Sequence, residues 1–506
     1  MSITGVGSTA SLLAQSLVNM RSQLDDLQTQ LGTGLKSQTY AGLGTGSGLS
    51  VALNAQLSAL SSYDDSITNV GTKLSLAQTA LGQVSTIAQN AASSMSSSMD
   101  TTFDANGQTT GQGAASGELD EMLGLLNTQV GSSYLFSGRA TDQPATDTMD
   151  HILNGNGTQA GFKQVLAERQ QADLGANGLG RLVIPAASGS MVSMSEDVAG
   201  SPFGFKLASV TSSLTGATVT QPSGSPAGVS VTLGATNPNA GDTVKFTFNM
   251  PDGTTQDLTL TATTSTPPGA NQFTIGATPA ATAANLQSAL TSSVGTLAST
   301  SLSAASAVAA SNDFFNTDAS HPPQRVNGPP FDTATSLVDG TAANTVAWYT
   351  GDDGTDPARS TAVARVGPST TVSYGVRANE QGISSAIASV AVFASMTFSA
   401  SDPNSAARYQ ALTQRLGTTL NGQPGTQQIS DIQAQLAGAQ TTINDAKTSH
   451  QQTESTLQDM LQQITTVPQE QVAAQILALQ TSLQASLQTT ASLSQLSLVN
   501  YMPTPA

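Results

Sequence analysis

The chain lacks cysteine altogether and is poor in charged and aromatic residues. Without cysteine it can form no disulfide, offers no thiolate for catalysis and lacks the commonest ligand of structural zinc. Charged residues make up 10% of the sequence and aromatic residues 4%, which is little for one large compact globule. Because 38% of the residues are hydrophobic, the chain is also too apolar to be disordered throughout. Such a chain has to be stabilised by packing and assembly.

Positive charge is particularly scarce, with 16 Lys and Arg against 33 Asp and Glu and a formal net charge of -17. Binding to phosphate groups requires clustered Lys and Arg, and the sequence contains no basic stripe. This excludes nucleic acid and anionic membranes as partners. The most apolar stretch, Ile383 to Phe398, consists mostly of Ala and Ser and predicts a packed helix, not a membrane span. Met1 to Ala10 lacks the features of a signal peptide, so if the chain leaves the cell we expect it to use another route.

Apolar residues near both ends recur with the 3.5-residue period of a coiled coil. The first segment begins at Leu13, is interrupted at Gly32 and Gly34 and again by the cluster from Gly42 to Gly48, and resumes near Leu49. We read the glycine cluster as a helix break, since it matches no phosphate-binding motif. The residues predicted to form the coiled-coil assembly interface are Leu13, Leu17, Met20, Leu24, Leu27, Leu31, Val472, Ile476, Leu479 and Leu483.

Polar residues interrupt the apolar seam at a few predicted positions, namely Asp64 near the N-terminus and His450 and Thr453 near the C-terminus. The C-terminal seam is predicted to continue through Leu457, Met460 and Ile464, and then to break phase at Pro468, where a new helix starts. The coiled coil is therefore predicted to consist of two stacked segments, the outer one pairing residues 13–31 with residues 472–496.

Between the two ends the period changes to that of β-strands. Residues 181–184 and 191–194 are predicted short strands, and residues 244–250 and 257–262 flank a Pro-Asp-Gly turn typical of a β-hairpin. Residues 278–310 predict a helix of small residues, and the proline-rich stretch 311–340 predicts an irregular connection. Residues 346–349 and 371–376 are predicted to be returning strands.

The sequence thus predicts an α+β fold in which long N- and C-terminal helices form a coiled-coil core around an inserted β-rich α+β region. The predicted domains are an N-terminal helical core segment (1–140), a short β-strand region (141–215), an inserted α+β domain (216–345), returning strands (346–380) and a C-terminal helical core segment (381–506).

Four segments resemble the bacterial flagellin family, and most closely its hook-associated junction proteins of type 3. They are Gln30 to Ser37 (QLGTGLKS), Asn127 to Ala145 (NTQVGSSYLFSGRATDQPA), Tyr374 to Phe393 (YGVRANEQGISSAIASVAVF) and Leu496 to Met502 (LSLVNYM). The first resembles the family's first helix break, the second the end of its N-terminal helical region, and the third its return into the helical core. The last is more similar to junction proteins than to ordinary flagellins.

The resemblance implies a structural subunit of the extracellular flagellum at the hook–filament junction. It implies a hook-side junction protein and flagellin as neighbours, self-assembly into a ring or layer, and export by a chaperone and the flagellar secretion apparatus. The alternatives are a filament-forming flagellin, to which the size of the middle insertion points, and a secreted adhesin. Neither a cofactor nor membrane insertion is expected.

Sites for metals or catalysis find no support in the sequence. His151, His321 and His450 are far apart and lack ligand spacing, so a structural role is expected for each. The run of Asp352, Asp353 and Asp356 hints at calcium but lacks the order of a calcium loop, so we predict a turn. Since no nucleophile motif is present either, we expect no enzymatic activity. If His450 is buried at an interface, its protonation is hypothesised to loosen that contact.

Overall fold

The structure is a computed structural model and describes residues 4–97, 101–318, 321–422 and 425–499. Side chains are not described at residues 4–10, 96–97 and 493–499. The described helices are α1 (Thr4–Thr33), α2 (Ser47–Ser97), α3 (Thr110–Leu126), α4 (Met149–Asn154), α5 (Phe162–Leu174), α6 (Pro279–Leu297), α7 (Ser303–Phe315), α8 (Gln381–Ser395), α9 (Ser405–Leu420), α10 (Ile429–Thr465) and α11 (Gln469–Val499).

The described strands lie between α3 and α8 and form several small sheets. They are β1 (Gln129–Val130), β2 (Ser133–Tyr134), β3 (Leu182–Val183), β4 (Met191–Glu196), β5 (Lys206–Ser212), β6 (Thr218–Ser223), β7 (Gly228–Thr232), β8 (Thr243–Asn249), β9 (Thr255–Thr263), β10 (Gln272–Thr274), β11 (Gln324–Val326), β12 (Leu337–Asp339), β13 (Val363–Arg365) and β14 (Thr371–Ser373). Long helices at both ends and sheets in the middle confirm the predicted α+β class.

Contacts divide the chain into two compact units. The terminal unit comprises the residues up to Asn69, the short segment Arg365–Thr371 and the residues from Thr441 onward. The central unit comprises Val70–Ala364 and Val372–Gln440. In the described part of the chain, no helix is long and apolar enough to cross a membrane.

In the terminal unit, the two ends of the chain pack against each other, with α1 along α11. The segment after α1 bonds to the segment before α11: Lys36 donates its backbone N–H to the carbonyl of Thr465 (2.6 Å), and Val467 donates to Gly34 (3.1 Å). Because the end of α1 lies beside the start of α11, the two helices run antiparallel. The predicted breaks at Gly34 and Pro468 are thus neighbours, and Gly34 has the positive φ (71°) that favours glycine at a helix end.

The terminal parts of α2 and α10 also carry a seam. Leu53 and Ile67 on α2, and Ile443 and Leu457 on α10, are buried. Beyond His450, however, the α10 seam runs through Glu454 and Leu461, whereas the predicted seam residues Thr453 and Met460 are exposed. The covered positions step by four residues twice in succession, from Ala446 to His450 and on to Glu454, where a heptad would alternate four and three. The reason is that an α-helix of 3.6 residues per turn drifts against a strict heptad.

In the central unit, α8 is the buried helix around which α3, α7 and α9 pack. Its small residues (QGISSAIASVAVFAS) allow close approach of these neighbours, and all but two of its 15 positions are buried. The α3 start is tied to the α8 end by Gln112, whose side-chain amide donates to the carbonyls of Phe393 (2.8 Å) and Met396 (2.7 Å). The packed helix predicted for residues 383–398 is therefore confirmed.

Two four-stranded sheets, ordered β10-β9-β8-β5 and β3-β4-β7-β6, share one core with α6. The predicted hairpin is confirmed: β8 and β9 pair antiparallel across the Pro-Asp-Gly turn, and alternate β8 residues are buried. The sheets are joined by Gln221 of β6, whose amide donates to the Val210 carbonyl (2.6 Å) and accepts from its N–H (3.2 Å). At this point the side chain of Gln221, and not a backbone strand pairing, joins the two sheets.

Two sequence predictions for the central unit are wrong. Residues 346–349 form no strand and contribute only one bridge, from Tyr349 to Thr146, because Trp348 is buried in the core with its indole N–H on the Phe315 carbonyl (2.8 Å). Residues 311–340 are not wholly irregular either. The α7 helix continues to Phe315, which packs on Phe162, and β11 pairs with β12.

A buried network of ion pairs on α5 fastens the irregular segments of the central unit. Arg169 bonds Asp173 (2.9 Å) and Asp313 (2.7 Å), and Asp173 also accepts the backbone N–H of Gly204 (2.7 Å). Burial raises the pKa of Asp313, while the charge of Arg169 opposes this shift. Arg325 bonds Glu168, a buried residue of α5. Few residues of this chain are charged, and these ion pairs lie where loops are attached to α5.

We predict that Arg169→Met lowers the free energy of unfolding of the central unit by roughly 3–5 kcal/mol, because the fully buried Asp173 loses its counter-ion. The fluorescence of Trp348, the only tryptophan, reports urea unfolding of this unit. Lys245→Met is the control, since Lys245 and Asp257 are both largely exposed and their pair should contribute little. Equal small losses in both variants would contradict a stabilising role of the network.

Candidate assembly interface

The predicted interface residues lie along the contact between α1 and α11. Val472 and Ile476 are buried, and the other seam residues on both helices are half-buried, with the exception of Leu31. Leu31 is 36% exposed, and Gln30 occupies the covered side instead. The amide of Gln30 donates to the carbonyl of Lys36 (3.0 Å). The last turn of α1 is therefore bonded to the segment that follows the helix break.

Only a narrow stripe of α1 is covered. Between residues 11 and 29, every position outside the seam is exposed, and so are Leu12, Val18, Leu477 and Leu487 on the two helices. The exposed side chains are mainly Ser, Thr, Gln and Asn, which can be buried against another polypeptide without stranding ions. This surface is chemically suited to further packing.

The polar seam residues Asp64 and His450 face each other in the terminal unit. The His450 ring Nδ1 lies 2.8 Å from a carboxylate oxygen of Asp64, and the His450 side chain is 8% exposed. The Tyr63 ring lies beside the imidazole, with ring centroids 5.8 Å apart. Two residues 386 positions apart in sequence thus form one partly buried polar pair. Such a pair fixes the register of two helices, because a slip would strand both polar groups.

Two of the segments that resemble the flagellin family meet in the central unit. The backbone of Gly138 donates to Val376 (3.2 Å), and that of Ala378 donates to Phe136 (2.9 Å). Residues 127–145, by which the chain leaves the N-terminal helices, therefore bond directly to residues 374–382, by which it returns. The inserted region starts and ends at one place.

The aspartate run predicted as a turn is closed by arginines from these segments. Arg139 bonds Asp356 (2.7 Å), and Arg377 donates to the carbonyls of Gly354 and Asp356. The hydroxyl of Tyr349 donates to the Asp352 carbonyl (3.1 Å), and burial raises the pKa of this tyrosine. The turn is thus tied by positively charged side chains.

The two remaining histidines each pair locally with an aspartate. His151 lies 2.5 Å from Asp147, and His321 lies 3.0 Å from Asp318. Among the residues that the structure describes, no group of three His, Cys, Asp or Glu side chains could bind a metal ion.

A cavity of about 650 Å³ in the central unit is lined mainly by amide and hydroxyl side chains. Its charged lining residues, Asp252 and Arg415, form an ion pair (2.9 Å) that joins the β8–β9 turn to α9. The cavity therefore offers hydrogen bonds but no net charge.

Sequence reasoning missed the α5 network and the pairing of Asp64 with His450. A signal for the first was present, since Arg169 and Asp173 have the four-residue spacing of a helical ion pair in a chain with few charges. Leu493 and Leu496, predicted to extend the seam, lie among residues whose side chains are outside the described part.

We predict that Ile476→Asp separates α1 from α11, because a buried unpaired charge costs roughly 3–5 kcal/mol. Hydrogen–deuterium exchange measured by mass spectrometry should show lost protection in both helices. Leu477→Asp is the matched control, as this neighbouring side chain is 65% exposed and should tolerate the charge. Unchanged protection in the Ile476 variant would show that the seam does not stabilise the pair.

The partner of His450 in the seam is the carboxylate of Asp64. The loosening of this contact on protonation, hypothesised from the sequence, stays a prediction. Identical pH dependence of assembly in His450→Gln and in the parent would contradict it.

Comparison with known proteins adds one match. Residues 8–141 match the model of the bacterial flagellin N-terminal helical region. A search of curated proteins found no significant match. The matched range covers α1, α2, α3 and the segment up to the junction at Gly138, which are the elements that form the first half of the helical core. The match shows that residues 8–141 are similar to this flagellin region and supports a structural flagellar subunit.

Proposed function

We propose that the chain is a hook-associated junction subunit that connects the hook to the flagellar filament. The observation that carries this proposal is the antiparallel packing of α1 on α11 in a chain whose residues 8–141 match the flagellin N-terminal helical region. The resemblance of residues 127–145 and 496–502 to junction proteins favours this role over that of a filament-forming flagellin. Residues 500–502 lie outside the described part of the chain.

The proposed neighbours are a hook-side junction protein on one side and flagellin on the other, with copies of this chain forming a ring or short layer. An export chaperone and the flagellar secretion apparatus would deliver the chain. The largely uncharged surface of α1 and α11 supports burial against such neighbours. We propose a structural role without catalysis.

Filament-forming flagellin is the second candidate, and the long insertion between residues 140 and 380 favours it. The two roles differ in polymerisation. A filament subunit should form long filaments by itself, whereas a junction subunit should stop at a ring or a short layer. Electron microscopy of the purified full chain after seeding distinguishes these products.

We predict that deletion of the gene leaves hooks without filaments and releases flagellin into the medium. Electron microscopy of the cells and immunoblotting of the medium measure these two effects. Expression of the intact chain from a plasmid should restore filaments and swimming. Normal filaments on the deleted cells would refute the junction role, and hooks lacking filaments with no flagellin in the medium would favour the filament role.

A further inference from the structure

A groove in the central unit brings together two tyrosines and Lys73, which has no ion-pair partner among the described residues. Its lining includes Lys73 and Leu74 from α2, Tyr134 from β2, and Tyr374 with Val376 from the returning segment, and its volume is about 310 Å³. Burial raises the pKa of Tyr374, so its hydroxyl remains protonated and can donate a hydrogen bond. The groove lies at the junction where the inserted region starts and ends.

The groove also contains Arg139, which bonds Asp356, and Thr361, whose hydroxyl donates to the Ala358 carbonyl. The side chains of Lys73, Tyr134 and Tyr374 are donors without an acceptor among the described residues. Within the described part of the chain, no carboxylate lies within ion-pair distance of Lys73, although its side chain is partly buried. Neither the Tyr134 nor the Tyr374 hydroxyl forms a hydrogen bond with a described residue. An ammonium and two hydroxyls in one groove fit a carboxylate, which accepts several hydrogen bonds.

The complementary feature is an acidic patch on α3, formed by Glu118 and Glu121, which are three residues apart and lie on one helix face, with the exposed Asp120 beside Glu121. No ion pair to any of the three is found among the described residues. Burial and the neighbouring charge of Glu121 raise the pKa of Glu118. A cation supplied from outside would relieve this repulsion.

We propose that the acidic patch on α3 of one copy docks into the Lys73 groove of a second copy. The inference rests on the proposed function, which requires contact between copies. In a chain with a net charge of -17, copies repel each other unless local cations meet local acids. The two surfaces are different, so the contact is heterologous and can propagate into a ring or layer.

Charge reversal on either side tests this contact in the full chain. We expect Lys73→Glu and Glu121→Lys, each alone, to raise the critical concentration for assembly about tenfold or more, because like charges then face each other. Light scattering and sedimentation measure assembly, and circular dichroism verifies that each variant is folded. Lys163→Glu and Asp150→Lys are the controls, since they make the same charge changes at exposed positions of the same unit.

Mixing the two variants provides the decisive measurement. In an equimolar mixture, the carboxylate introduced at position 73 of one variant meets the ammonium introduced at position 121 of the other, and the second contact retains its native charges. We therefore expect the mixture to assemble near the concentration of the parent, with alternating copies. This rescue cannot come from a general effect of net charge, because the controls carry the same changes.

Assembly of either single variant at the concentration of the parent would overturn the contact, and so would a mixture that fails to assemble. A parent chain that stays monomeric under all conditions would also overturn it. The proposed function is judged separately by the deletion phenotype. Hooks without filaments in deleted cells, together with unaffected assembly of Lys73→Glu, would refute this inference alone.

Discussion

The structure depends on burying a narrow apolar seam from one end of the chain against a seam from the other end. On α1 only every third or fourth side chain is covered, and the remaining face is exposed, mostly polar and charged only at Arg21, Asp25 and Asp26 among residues 11–29. Helices of this kind are marginal alone, because most helical stability in proteins comes from packing of one apolar face. The pairing of the ends therefore decides whether the terminal helices form at all. It also leaves a polar, nearly neutral surface available for further contacts.

The chain has few ion pairs, and several of them attach loops and turns, where no helical or strand pattern fixes the backbone. Arg169 and Asp173 anchor loops to α5, and Asp252 with Arg415 joins the hairpin turn to α9. In the terminal unit, the pair of Asp64 and His450 interrupts a mainly apolar seam. A buried ion pair adds little net stability, but an arrangement that separates its two charges is strongly destabilised. Lys73 and the acidic patch on α3 differ from these pairs, because their charges have no partner within the described chain.

Much of the fold could be predicted because its signals are local. The 3.5-residue period marks the terminal helices, alternation around Pro251, Asp252 and Gly253 marks the hairpin, and Gly34 and Pro468 mark the breaks. The α3 helix was not predicted because its four glycines weaken its propensity, and it depends on the capping box of Thr109 and Gln112 and on packing against α8. Nor were β5, β6 and β7 predicted. Their sheets are joined partly through a glutamine side chain, which no strand pattern reveals.

The sequence alone determined that both ends carry seams, where the helices break, and that Asp64 and His450 lie in the seams. These properties follow from residue type and spacing along one helix, which tertiary contacts do not change. Only the tertiary structure decided which residues meet. The register places Asp64 beside His450, although 386 positions separate them. The covered positions are Gln30 instead of Leu31 and Leu461 instead of Met460. An α-helix drifts against a strict heptad, and the contact with the partner helix decides which side chains are covered.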